Sequence, residues 1–102
     1  MAISIINAKG SWYDLYDENG KKYKSLQISL TGDLVGFSST FFIMAKGSWY
    51  DLYDQNGRKY KSLQISLTGD FVSISGDTFV MKKGSYLETY EKTGKKISSR
   101  HV

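Results

Sequence analysis

Twenty-seven consecutive residues of this chain occur twice. Residues 9–35 read KGSWYDLYDENGKKYKSLQISLTGDLV, and residues 46–72 repeat them except at Glu18/Gln55, Lys21/Arg58 and Leu34/Phe71. The offset of 37 residues recurs when Lys83 opens KGSYLETYEKTGKKISSRHV, a divergent third copy. A fixed period of roughly 20–50 residues marks a repeat architecture, in which one supersecondary unit stacks its apolar face on the next.

The unit itself reads as strands. Trp12, Asp14 and Tyr16 alternate with Tyr13, Leu15 and Asp17, the period of two that a strand imposes. Apolar groups in both sets predict that both faces are at least partly covered. Asn19-Gly20 between two apolar runs predicts a tight type I′ hairpin with left-handed backbone at both residues. Thr93-Gly94 is a weaker signal and predicts a longer loop. The stretch Lys22 to Leu30 predicts one strand, with Lys24, Leu26, Ile28 and Leu30 opposite Tyr23, Ser25, Gln27 and Ser29. After the turn at Thr31-Gly32-Asp33, a short strand is expected to put Val35 and Phe37 on one side. Gly36 on the other side marks a close approach by another backbone.

Phe41 to Ala45, FFIMA, reads as a strand buried on both faces, and Ala2 to Ala8 reads as another. Val72, Ile74, Phe79 and Met81 are expected in the core of the following unit. No window carries the three-and-four spacing of a helix, so none is predicted. The result is an all-β chain: an antiparallel meander of about three four-stranded, blade-like repeats in one domain.

Counted from the Thr-Gly-Asp turn, residues 31–67 and 68–102 are four-stranded units, and residues 1–30 are a unit lacking its first strand. A short inner strand, an apolar second strand and an aromatic-x-x-Tyr-Asp-x-Asn-Gly-Lys hairpin together resemble the blade of a β-propeller. The hairpin is also similar to WG-type repeats. The resemblance implies a propeller-like packing of sheets and transfers no functional residue. The chain has neither the Trp-Asp dipeptide of WD40 blades nor the Gly-Gly pairs of kelch blades. It also lacks the Gln-x-Asp-x-Asn-x-Val-x-Tyr pattern of monocot mannose-binding lectins. Near-identity of two copies, with no proline and no cysteine, suits an engineered or recently duplicated chain.

Composition narrows the chemistry. At 40% hydrophobic residues the chain has ample surface to bury. Without cysteine it has no disulfide or thiolate site, which fits a reducing compartment. No charged leader precedes an apolar run at the N-terminus, so a cytoplasmic location is expected. The net charge of +4 is spread over short pairs such as Lys21-Lys22, Lys82-Lys83 and Lys95-Lys96. Those read as solvated strand ends, so neither nucleic acid nor a membrane is expected as partner.

His101 is the only histidine; a catalytic triad or a His/Cys metal cluster has nothing to build on. Asp17, Glu18, Asp33, Asp54, Asp70, Asp77 and Glu91 sit in or beside turns. The run from Asp14 to Gly20 lacks the alternate-ligand spacing of a calcium loop. No cofactor and no enzymatic activity are expected.

One constellation recurs. Trp12/Asp14/Tyr16, Trp49/Asp51/Tyr53 and Tyr86/Glu88/Tyr90 place aromatic, acid and aromatic side chains on one strand face. Such a face either packs between sheets or binds carbohydrate, the rings stacking on sugars and the acids accepting hydroxyls. The expected role is a structural or self-assembling scaffold, the alternative a lectin-like module. The incomplete first unit predicts self-association into a homodimer or higher oligomer, two chains closing a ring of six sheets. Closure of three units within one chain, as a prism or trefoil, is the rival.

Overall fold

The structure, a computed structural model, describes residues 2–102. Among them, eleven strands form three antiparallel sheets, and the first strand runs over Ile5–Lys9, not from Ala2 to Ala8. The first sheet holds β1 (Ile5–Lys9), β2 (Trp12–Tyr16) and β3 (Lys22–Gln27). The second holds β4 (Asp33–Phe37), β5 (Phe41–Lys46), β6 (Trp49–Asp54) and β7 (Lys59–Gln64). The third holds β8 (Asp70–Ser75), β9 (Thr78–Lys83), β10 (Tyr86–Glu91) and β11 (Lys96–His101). Within each sheet every strand pairs with its chain neighbour, and the sheets form no closed barrel.

The sheets stack face to face with the second in the middle. Tyr13 and Leu15 of the first sheet pack against Phe42, Met44 and Tyr53 of the second. On the far side, Phe41, Ile43, Tyr50 and Leu52 pack against Phe79, Met81 and Tyr90 of the third. Phe41, Phe42, Ile43 and Met44 are therefore all fully buried, as FFIMA foretold. Burying each contributes about 1.5–3 kcal/mol. Polar clasps reinforce both seams. The Leu34 N–H donates to the Tyr13 hydroxyl at 3.0 Å, and the Tyr23 hydroxyl donates to the Gln55 carbonyl at 2.6 Å. One unit on, the Tyr60 hydroxyl donates to the Lys92 carbonyl.

Four further expectations need correcting. First, the strand from Lys22 ends at Gln27, and the predicted absence of helix fails at two single turns, α1 (Ile28–Thr31) and α2 (Ile65–Thr68). Gly32 closes α1 by donating its N–H to the Ile28 carbonyl at 2.8 Å. The turn sends Ile28 into the core and leaves Leu30 two-thirds exposed.

Second, the Asn-Gly turns are not type I′. No residue other than glycine has positive φ among the described residues. Instead, Asp17 closes a wider loop by exchanging backbone bonds with Gly20 and Lys21, while its carboxylate accepts from the Asn19 and Lys21 N–H groups. Only Gly20 takes a left-handed backbone. The Thr93-Gly94 turn closes the same way, from Glu91 to Gly94 and Lys95, so it is no longer than the others.

Third, the register slips in β4, so Val35 and Phe37 face opposite clusters. Gly36 is close-packed, but by side chains and not by another backbone: a Cβ there would lie 2.9 Å from the Phe71 ring and 3.0 Å from the Ile74 side chain.

Fourth, Val72 is not core but about half exposed. It lies on the outer face of the third sheet, where the pattern changes. Thr78, Lys82, Thr89 and Arg100 stand there, at the positions that Phe41, Ala45, Leu52 and Leu63 occupy in the second sheet. No helix among the described residues is long and apolar enough to cross a membrane.

Candidate functional site: a groove repeated with the unit

Each hairpin strand carrying Trp-x-Asp, or Tyr-x-Glu in the third unit, is paired with the strand after its turn, and every such pair contains a bulge. The register steps from Leu15↔Lys24 to Tyr16↔Lys22, from Leu52↔Lys61 to Tyr53↔Lys59, and from Thr89↔Ser98 to Tyr90↔Lys96. A bulge places two residues opposite one and re-aims the neighbouring side chains. It turns Tyr23 and Tyr60 toward the next unit and brings Lys22 and Lys59 onto the face that holds Asp14 and Asp51.

The result is an open groove repeated at the 37-residue period. In the first unit Lys9, Gly10, Ser11, Trp12, Asp14, Lys22 and Ser25 line about 570 Å³. In the second unit Lys46, Gly47, Trp49, Asp51, Lys59 and Ser62 line about 620 Å³. Each groove is made by one unit alone. The tryptophan forms one wall and is 46% exposed in both, whereas the aspartate on the floor is only 5% exposed. Asp14 Oδ1 accepts the Ser25 hydroxyl at 2.7 Å, and Asp51 Oδ1 accepts that of Ser62 at the same distance. Lys59 Nζ stands 3.9 Å from Asp51 Oδ2.

In the third unit the arrangement folds in on itself. Glu88 is one methylene longer than aspartate, and its Oε2 accepts from Lys96 Nζ at 3.1 Å and from Ser99 at 3.4 Å. That bond holds the Lys96 ammonium above its ordinary pKa. Tyr86 replaces tryptophan and meets the edge of His101 at 5.1 Å between ring centroids.

Of the nine residues singled out from the sequence, the structure gathers Trp12 with Asp14 and Trp49 with Asp51 into grooves. It places Tyr86 with Glu88 in the third, self-satisfied version. The third member of each set lies elsewhere. Tyr53 stacks on Phe42 at 5.0 Å and Tyr90 on Phe79 at 5.1 Å. Both are buried, which pushes their hydroxyls up in pKa. Tyr16 is half-buried in the first sheet.

Lys22, Ser25, Lys59 and Ser62 escaped the sequence reading because strict alternation set Lys22 and Ser25 on different faces. Among the described residues, no cluster of three His, Cys, Asp or Glu side chains could hold a metal. A smaller cleft of about 230 Å³ lies between the second and third units, bordered by Thr40, Asp54, Tyr60, Lys92 and Thr93. The Tyr60 hydroxyl is already engaged there. No protein-family model, curated protein or solved structure matches the chain.

Proposed function

We propose that this repeated β-sheet scaffold is a non-enzymatic carbohydrate-binding module with one binding groove in each of its first two units. The observation that carries the reading is the exposed indole beside a serine-anchored, buried aspartate, reproduced 37 residues apart. An indole face offers an apolar, electron-rich platform to the C–H face of a pyranose. The Asp14 and Asp51 carboxylates are held in place by serine hydroxyls on Oδ1, and Oδ2, which Lys59 faces at 3.9 Å in the second groove, can accept a sugar O–H. A fixed acceptor loses little conformational freedom on binding. Two grooves on one rigid chain also convert weak single contacts into avidity.

Calorimetric titration against a panel of oligosaccharides tests this. Binding should appear for at least one glycan and vanish in the Trp12→Ala/Trp49→Ala double variant, with the circular dichroism spectrum unchanged. A panel that gives only dilution heats overturns the reading.

A second reading, self-association, is favoured by the first sheet. There β1 is an edge strand, although its counterparts β5 and β9 are interior. Unpaired edges invite pairing with another chain. Two β1 strands can pair antiparallel about a twofold axis, the commonest homodimer symmetry. The outer face of the third sheet, where Lys82 and Arg100 stand among Val72, Val80 and Leu87, is less apolar than the face the second sheet presents to the third and so favours this edge route over closing a ring face to face. Light scattering that returns 11.5 kDa at all concentrations rules it out.

A further inference from the structure

The two open grooves carry more positive charge than a neutral sugar requires. Each sets two lysines, Lys9 with Lys22 and Lys46 with Lys59, against a single aspartate. No carboxylate among the described residues lies within 4.0 Å of the Lys9 or Lys22 ammonium. The aspartates sit on the floors, bonded to Ser25 and Ser62; in the second groove Lys59 stands 3.9 Å from Asp51 and Lys46 bonds the Leu30 carbonyl, so the surplus of positive charge is greatest in the first. An occupant is therefore offered hydroxyl-accepting chemistry at the bottom, an apolar ring at one side and cations at the mouth.

The grooves are also joined. The Ile28 N–H donates to the Ser11 carbonyl of the first groove at 2.9 Å. Two residues later, the Leu30 carbonyl accepts from Lys46 Nζ of the second groove at 3.1 Å. The α1 turn thus links Ser11 of the first groove to Lys46 of the second, and Leu30 on that turn is 67% exposed. Sheets stack about 10 Å apart, so one extended ligand can reach both grooves.

Resting on the carbohydrate reading above, we infer that the ligand is a linear acidic polysaccharide laid across both grooves. Its pyranose faces cover Trp12 and Trp49, and its anionic groups meet Lys9, Lys22, Lys46 and Lys59. Uronate carboxylates and sulfate esters share the required chemistry. Single-stranded nucleic acid also combines an anionic backbone with stacking bases. The buried Asp14 and Asp51 argue against it, because their carboxylates reward ligand hydroxyls, of which a pyranose carries several and a nucleotide within a phosphodiester chain at most one.

The test titrates the full chain with four polymers of matched length: a polyuronate, a sulfated glycan, a neutral β-glucan and oligo-dT. At least one acidic glycan should bind about tenfold more tightly than the neutral one, and the preference should fade as salt is raised. Which of the two binds identifies the anion. Lys22→Gln/Lys59→Gln should remove that preference together with its salt dependence, so that the acidic and neutral glycans bind alike. Leu30→Ser should weaken long oligomers more than short ones. If the neutral glucan binds as well as the acidic glycans, this inference fails while the carbohydrate reading stands. If no glycan binds, both fail. If oligo-dT matches the acidic glycans, the ligand class is wrong.

Discussion

Replacing Gly32 by alanine should damage the fold far more than the same change at Gly20, although both glycines have positive φ. Gly20 sits at φ +75° with nothing within 4 Å of an added Cβ. Its substitution costs only the left-handed backbone, about 1 kcal/mol. Gly32 has φ 80° and ψ −153°, a region that essentially only glycine visits and that costs other residues about 1–3 kcal/mol. A Cβ there would also lie 2.3 Å from the Ala45 carbonyl oxygen. Ala45 belongs to β5, whose Phe41–Met44 side chains are fully buried, so that carbonyl cannot retreat without opening the core. The two terms together reach about 3 kcal/mol or more. At about 4–8 °C per kcal/mol, Gly20→Ala should lower Tm by about that interval and Gly32→Ala by at least about 12 °C. Gly69→Ala, whose Cβ would lie 2.3 Å from the Lys82 carbonyl oxygen, should behave like Gly32→Ala. Urea and thermal unfolding followed by tryptophan fluorescence measures all three. Equal shifts for Gly20→Ala and Gly32→Ala would refute the account of the α1 turn.

Burial pushes the Tyr60 hydroxyl up to about 12 from an ordinary 10.0. The folded state therefore favours its protonated form, and the stability this lends is full below pH 10 and lost as pH climbs toward 12. Ultraviolet titration of wild type minus Tyr60→Phe should isolate one tyrosine with that high midpoint; a midpoint near 10 contradicts the burial. Phe42→Ala, which empties a fully buried site stacked on Tyr53, should cost about 3–5 kcal/mol. Val72→Ala on the exposed face should cost less than about 1 kcal/mol by chemical denaturation, and comparable losses would mean the third sheet's outer face is covered. Tyr86→Trp/Glu88→Asp should release Lys96 and open a third groove. Bound glycan per chain should then rise from two sites to three, and an unchanged stoichiometry would show that the groove needs more than those two side chains.

The 37-residue period, the glycine turns and the doubly buried FFIMA strand were legible because each leaves a local trace: a spacing, a turn residue, an unbroken apolar run. The groove was only half legible. Trp12 and Asp14 share a face by simple alternation, and so do Trp49 and Asp51. Their partners Lys22 and Ser25 join them only through the bulge at Tyr23, which no residue type announces. The same blindness placed Val35 with Phe37. Ile28-Ser29-Leu30 alternates like a strand, and what bends it into α1 is Gly32 closing back on Ile28. Alternation puts Tyr53 and Tyr90 on the face of Trp49 and Tyr86 but does not give which part of that face the neighbouring sheet covers; both rings pack between sheets, one of the two roles such a face allows. Val72 went wrong for a related reason: the sequence shows an apolar residue, whereas its exposure depends on whether another sheet lies over it.

The middle unit presents one surface to the sheet before it and another to the sheet after, and the first of these matches the surface that the third sheet lays on the second. Phe42, Met44 and Tyr53 on its first side occupy the positions that Phe79, Met81 and Tyr90 occupy where the third sheet meets its second side. Residues 31–67 can therefore follow themselves. A chain carrying several consecutive copies of that segment would grow as a one-dimensional array, each copy adding a near-constant increment of stability. Each would also add one Trp-Asp-Lys-Ser groove, in step with its neighbours. Length then becomes an adjustable variable, and the reach of the molecule along a polymer scales with the number of segments without any new contact having to be invented.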